Sequence, residues 1–214
     1  LEPLADIIQA QDVTQSVEEI AAQYIDEEKG VKSVEEAIAG AKDIIAERIS
    51  DDANLRKVLR EIIAKKAQIK ATWVEEKDEN KTYENYKDFT GEVVKMPSHR
   101  ILALNRGEKE KVLTVKVEAP EEKILLYLEK QVIVSDNVYT TPVLKDVIAD
   151  SYKRLIAPAI EREIRNDLTE KAEDGAIEVF GKNLVQLLMQ PPIVGQTVLG
   201  WDPAFRTGCK LAVV

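Results

Sequence analysis

Arg56, Lys57 and Arg60 are three cations on one short stretch of chain, and clustered cations need nothing else to neutralise phosphate groups. With Lys65, Lys66 and Lys70 they make residues 55–70 a run of six basic side chains against one acid, Glu61, a local charge of +5. The whole chain is the opposite: 39 acidic and 30 basic side chains leave a net charge of -9 over 214 residues. Nucleic acid coating the entire surface is therefore excluded, and any phosphate contact must be local. Arg100 and Arg106 form a second, smaller candidate, for which internal salt bridges to Glu108, Glu110 or Glu118 are an equal alternative. Arg206 and Lys210 flank a turn near the C-terminal end, where the alternative to phosphate contact is a solvated strand end.

Reactive chemistry has little to stand on. His99 is the sole histidine and Cys209 the sole cysteine, so no zinc cage or internal disulfide can be assembled, and no metal or cofactor site is expected. His99 is expected to pack structurally. Ser98 beside it reads as a helix cap rather than a nucleophile, since no pattern supplies a nucleophile–base pair. A single cysteine suits a reducing cytosol. No run approaches the roughly 20 apolar residues of a membrane span, and Leu1-Glu2-Pro3 lacks the order of a signal peptide; a cytoplasmic protein without a membrane partner is expected. Aromatics make up only 5% of the chain, too few for a series of base-stacking platforms.

The elements that must carry these residues are mostly helices. Ser16-Val17-Glu18-Glu19 and Ser33-Val34-Glu35-Glu36 are capping boxes; the first predicts a helix running to Lys29-Gly30. The second launches a helix with Val34, Ala37, Ile38, Ala41, Ile44, Ile45 and Ile49 on one stripe. Ser50-Asp51 is read as the cap of the next helix, which sets Leu55, Val58, Leu59, Ile62 and Ile63 on one face and the cations on the other. Two helices meeting there make residues 33–66 a helix-turn-helix candidate, within a subregion 33–118 that includes a small strand.

Residues 75–96 read as a long, partly ordered connection with Tyr83, Tyr86 and Phe89 spaced by threes. Pro97-Ser98 opens a short helix that Asn105-Arg106-Gly107 is expected to close, and Val112, Leu113, Val115 and Val117 alternate as a half-buried strand. Pro120 and Pro142 begin further helices. Helical spacing then persists from Val143 past Gly175 until Pro191-Pro192, with a distortion expected at Pro158. Beyond it, residues 197–203 and 208–214 read as two short strands around a turn.

Three blocks of residues, in order along the chain, carry a resemblance. Gly200-Trp201-Asp202-Pro203-Ala204-Phe205-Arg206-Thr207-Gly208-Cys209-Lys210-Leu211-Ala212-Val213-Val214 resembles the opening hairpin of the ribonuclease-H-like (YqgF-type) domain of the Tex family of transcription accessory proteins. Pro97-Ser98-His99-Arg100-Ile101-Leu102-Ala103-Leu104-Asn105-Arg106-Gly107-Glu108 and Gly40-Ala41-Lys42-Asp43-Ile44-Ile45-Ala46-Glu47-Arg48 agree with the same family. The pattern departs at Ala204, where glycine is usual, and at Trp201, where an aliphatic residue is expected.

The resemblance implies a mainly α fold: a multi-helix Tex-like N-terminal region over residues 1–192, then residues 193–214 as the start of a truncated ribonuclease-H-like α/β domain. It also implies a nucleic-acid-binding scaffold, RNA or DNA without sequence preference, acting mostly through domains outside this chain, with the transcription machinery as a further partner. The chain itself is expected to be non-catalytic. Two rival readings stand beside this one. In the first, Asp202 is the opening carboxylate of a metal-dependent ribonuclease-H or resolvase-like nuclease, against the plainer role of an aspartate capping the Pro203 turn. In the second, the acidic surface serves a protein-interaction scaffold.

Overall fold

The computed structural model describes residues 1–191, 193–206 and 208–214. They form two compact units, residues 1–174 and 175–214.

The first unit is mainly helical. In chain order it contains α1 (Glu2–Ala10), α2 (Val17–Ala21), α3 (Val34–Asp51), α4 (Ala53–Lys66), α5 (Ser98–Lys109), α6 (Glu121–Val132), α7 (Thr140–Asp150) and the first part of α8 (Ala157–Leu188). Both capping boxes act through their serines: the Ser16 and Ser33 hydroxyls accept from the Glu19 and Glu36 amides at 3.2 Å. The helix begun at Ser16 nevertheless stops at Ala21, far short of Gly30. Asp26 accepts from the Glu28 and Lys29 amides and offers the backbone a local turn in place of helix.

Asp52, rather than Ser50-Asp51, separates α3 from α4. Its extended backbone breaks the helix, and its carboxylate accepts from the Asn54 and Leu55 amides at 2.8 and 2.9 Å. Ser50 and Asp51 lie within α3. The basic run is also divided. Helix α4 ends at Lys66, and Lys70 belongs to strand β1 (Gln68–Trp73), where Ile69 and Ala71 point inward and Gln68, Lys70 and Thr72 outward. A two-residue alternation this short is easily absorbed into the helical pattern preceding it.

β1 is the centre of a three-stranded antiparallel sheet, between β2 (Phe89–Glu92) and β3 (Leu113–Glu118), with Ile69 opposite both Gly91 and Val117. The connection read as partly ordered is therefore structured. Buried Asp78 organises it, accepting from the Thr82 and Tyr83 amides at 3.0 and 2.7 Å and from the Trp73 indole at 3.0 Å. Tyr83, Tyr86 and Phe89 follow as a chain of rings with centroids 6.4 and 5.6 Å apart. Helix α5 continues through Asn105-Arg106-Gly107 to Lys109. Gly107 is buried there because a Cβ would stand 2.5 Å from Leu113 Cδ1 and 3.1 Å from Tyr83; the position serves close packing rather than termination. Ser98 makes no capping bond, and Pro97 holds the N-cap position.

Leu4, Ile8, Ile45, Leu59, Leu104, Ile124, Leu128, Leu144 and Ile148 are all essentially inaccessible and form one core with the inner face of the sheet. Each such side chain contributes about 1.5–3 kcal/mol by leaving water. The distortion expected at Pro158 takes the form of a π-helical stretch, Ser151–Ile156, one turn earlier. Proline supplies no amide to the Arg154 carbonyl, and the hydrogen-bond ladder there widens. Ser151, inside it, donates its buried hydroxyl to the Ala46 carbonyl at 2.7 Å and so ties the stretch to α3.

The second unit contains the last part of α8 and an antiparallel hairpin, β4 (Leu199–Asp202) with β5 (Lys210–Val213). Its register sets Trp201 opposite Leu211 and Asp202 opposite Lys210, matching the two strands expected. Helix α8 ends at Leu188, before the paired prolines; Pro192 and Thr207 lie outside the described residues. Leu199, Trp201, Leu211 and Val213, opposed in pairs by the register, share one face of the hairpin, and each shows about two-thirds of its surface. Among the described residues, no helix is long and apolar enough to cross a membrane.

Candidate nucleic-acid interface

Helix α4 presents its cations in two sets. Leu59 and Ile63 anchor the helix in the core, which turns Arg56 and Arg60, one turn apart, to the same side. There both meet Glu163 of α8: Arg56 Nη2 lies 3.4 Å from Oε1, and Arg60 contacts Oε2. One carboxylate therefore holds two guanidinium groups, all three only partly shielded from water. Lys57, Lys65 and Lys66 are exposed and have no ion-pair partner among the described residues. Lys70, carried away on β1, pairs with Glu118 at 2.6 Å.

Glu163, Asp167 and Lys171 recur every fourth residue along α8 and so share one face of it. Asp167 and Lys171 line, with Lys65, an open cleft of about 410 Å³ between the end of α4, the 93–98 segment and the start of α5. Its floor is aliphatic, including Val93, Ile101, Ile164 and Leu168, and Ser98 stands at its edge. Lys171 and Glu163 escaped the sequence reading because they sit about a hundred residues from the cations they join. The i, i+4, i+8 spacing is the only local trace of their common face.

Arg100 and Arg106 lie on α5, both exposed. Arg100 stacks over Phe89, its Cζ 5.4 Å from the ring centroid, an arrangement that leaves the guanidinium edge available. Arg106 stands near Tyr83, whose phenol is pushed up by burial and by the neighbouring Glu110 carboxylate, with the Arg106 charge opposing. The acids proposed as their partners are engaged elsewhere. Glu108 takes Arg165 in a two-point contact at 2.6 and 3.0 Å, and Glu118 takes Lys70. His99 is exposed rather than packed, since the first turn of α5 projects beyond the core that begins at Ile101.

In the second unit, Arg206 and Lys210 are exposed beside the hairpin turn, and Asp202 is exposed on β4 opposite Lys210. Among the described residues no three His, Cys, Asp or Glu side chains converge as a metal site would require. What the first unit assembles is a surface of cations, part free and part held by carboxylates, suited to electrostatic contact with a polyanion.

A family model described as Tex central region-like matches residues 12–180. YdcI of Bacillus subtilis (strain 168) is 51% identical over 215 residues, covering 100% of this chain and 30% of that protein. Protein tex of Bordetella pertussis is 35% identical over 228 residues, covering 100% of this chain and 29% of that protein. S1 RNA-binding domain-containing protein 1 of Homo sapiens is 33% identical over 202 residues, covering 87% of this chain and 20% of that protein. The chain thus spans less than a third of the length of each of these relatives.

Proposed function

This chain belongs to the Tex family, matched over its central region, and on that premise we propose that it is a non-catalytic, nucleic-acid-associated module of a Tex-like transcription accessory protein in the cytoplasm. The observation that carries the reading is α4: in a chain of net charge -9, this one helix carries Lys57, Lys65 and Lys66 exposed and without an ion-pair partner among the described residues, together with Arg56 and Arg60 one turn apart. Such a cluster of cations contacts phosphates without reading sequence. The relative named for its S1 RNA-binding domain supports RNA as one polyanion; DNA remains the other. Helices α3 and α4, joined through Asp52 alone, would form the helix-turn-helix-like part of this surface.

Residues 193–214 are read as the first strands of a ribonuclease-H-like domain. Support comes from the exposed apolar face of β4 and β5, made by Leu199, Trp201, Leu211 and Val213, since an isolated two-stranded hairpin is marginal in water and needs a covering layer. Fluorescence-anisotropy titration of labelled RNA and DNA across salt concentrations tests the electrostatic claim. Replacing Lys57, Lys65 and Lys66 with alanine should flatten the salt dependence by about 0.7–0.9 per lost phosphate contact; an unaltered slope would remove α4 from the interface. Metal-dependent cleavage by the full-length protein, abolished by Asp202→Asn, would overturn the non-catalytic reading.

A further inference from the structure

On the side of α4 away from Glu163, the helix borders a second open cleft, of about 510 Å³, whose walls come from α1, the end of α3, the start of α4 and α6. Its lining is predominantly hydrogen-bonding: Gln9, Arg48, Asp52, Asn54, Tyr127 and Gln131, over an aliphatic floor that includes Leu55; the Asp52 carboxylate accepts from the Asn54 and Leu55 backbone amides. Three of the lining side chains are carboxamides drawn from three different helices. Arg48 Nη1 donates to Gln9 Oε1 and to Asp6 Oδ1, each at 2.6 Å, which fixes the Gln9 carbonyl and leaves its NH2 as the free end. The side-chain amides of Asn54 and Gln131 and the hydroxyl of Tyr127 have no protein partner among the described residues.

From this convergence we infer that the cleft is a receptor for one unpaired nucleobase of a single strand held along α4. A carboxamide offers a donor and an acceptor side by side, the complement of a base edge. The half-buried Tyr127 supplies a ring for the base's π-face, and the aliphatic floor receives the rest. The volume lies in the range of small-ligand sites. Lys57 lies three residues beyond Asn54 and so on the neighbouring stripe of α4, placed for the phosphate that follows the base. An anionic ligand alone would find in this cleft one cation, Arg48, which Asp6 already engages, and the opposing carboxylate of Asp52; a neutral base finds both edge partners and a ring. The inference rests on the nucleic-acid reading above and adds to it where the base goes.

Two labelled strands separate the claims: an oligouridylate, and a strand of equal length built of abasic sugar-phosphate units, each titrated into the full chain. The expectation is that the uridylate binds roughly tenfold more tightly, the order of one base–aromatic stack. Asn54→Ala with Gln131→Ala, and separately Tyr127→Leu, should remove that preference and leave the abasic strand and the salt slope unchanged. Thermal melts of each variant establish folding, and the doubly substituted form changes only exposed side chains. Equal binding of the two strands with a normal salt slope overturns the base receptor and leaves the phosphate-binding cluster standing. Failure to bind either strand overturns both.

Discussion

Glu163→Gln removes one negative charge from between Arg56 and Arg60 and keeps the shape of the side chain. In the structure that carboxylate holds both guanidinium groups, with Glu163 about one-third exposed and the arginines about 37% and 56%. A pair this open to solvent is worth about 0.2–1 kcal/mol after screening. Losing both should cost the fold about 1 kcal/mol, a fall in melting temperature of about 2–4 °C for a unit this size. The effect on binding has the opposite sign. An internal pair worth about 1 kcal/mol must be broken before a phosphate can replace it, which holds affinity down by roughly fivefold. The variant should therefore bind RNA or DNA roughly fivefold more tightly at low salt. If both arginines move onto phosphates, the slope of log K against log salt should steepen by about 1.4 for single strands and 1.8 for duplex. Glu61→Gln is the control, since it makes the same change of charge on α4 at an exposed acid with no ion-pair partner among the described residues. Equal affinities and slopes for the two variants would show that only net charge matters, and the assignment of Arg56 and Arg60 to the interface would fail.

Gly107→Ala should destabilise the first unit by about 1–3 kcal/mol in denaturant unfolding, because the new methyl enters the space of Leu113 and Tyr83; a neutral result would mean that α5 and β3 part more easily than their packing suggests. Asp78→Ala should lower the melting temperature at neutral pH. Burial would raise the Asp78 carboxyl, but the Tyr83 and Thr82 amides and the Trp73 indole outweigh it and hold the group below its ordinary 3.8. Its contribution is complete above that value and disappears as pH falls through the lower folded one. The gap between the melting temperatures of wild type and variant should therefore narrow as pH falls below 3.8 toward the lower folded value, and a gap that stays constant would contradict the hydrogen-bonded carboxylate.

The sequence by itself determined the elements whose signals are local. Serines 16 and 33 cap because the groups they satisfy lie within one turn, the stripe from Val34 to Ile49 commits α3 to a buried face, and the alternation around Val115 marks β3. The paired strands near the C-terminal end and the resemblance to Tex were legible for the same reason, as contiguous runs of residue types. Tertiary structure decided what depended on distant partners. β1 becomes a strand because β2 and β3 wait on either side of it, against a helical pattern that would have absorbed Lys70. Gly107 sits inside a helix because Leu113 and Tyr83 close over it, although glycine after asparagine and arginine looks locally like a stop. The cationic character of α4 was visible from residue 56 onward, but whether each charge is free or held was settled by Glu163, about a hundred residues away. Charge is a property of composition, whereas availability of charge depends on which carboxylates the fold brings within reach.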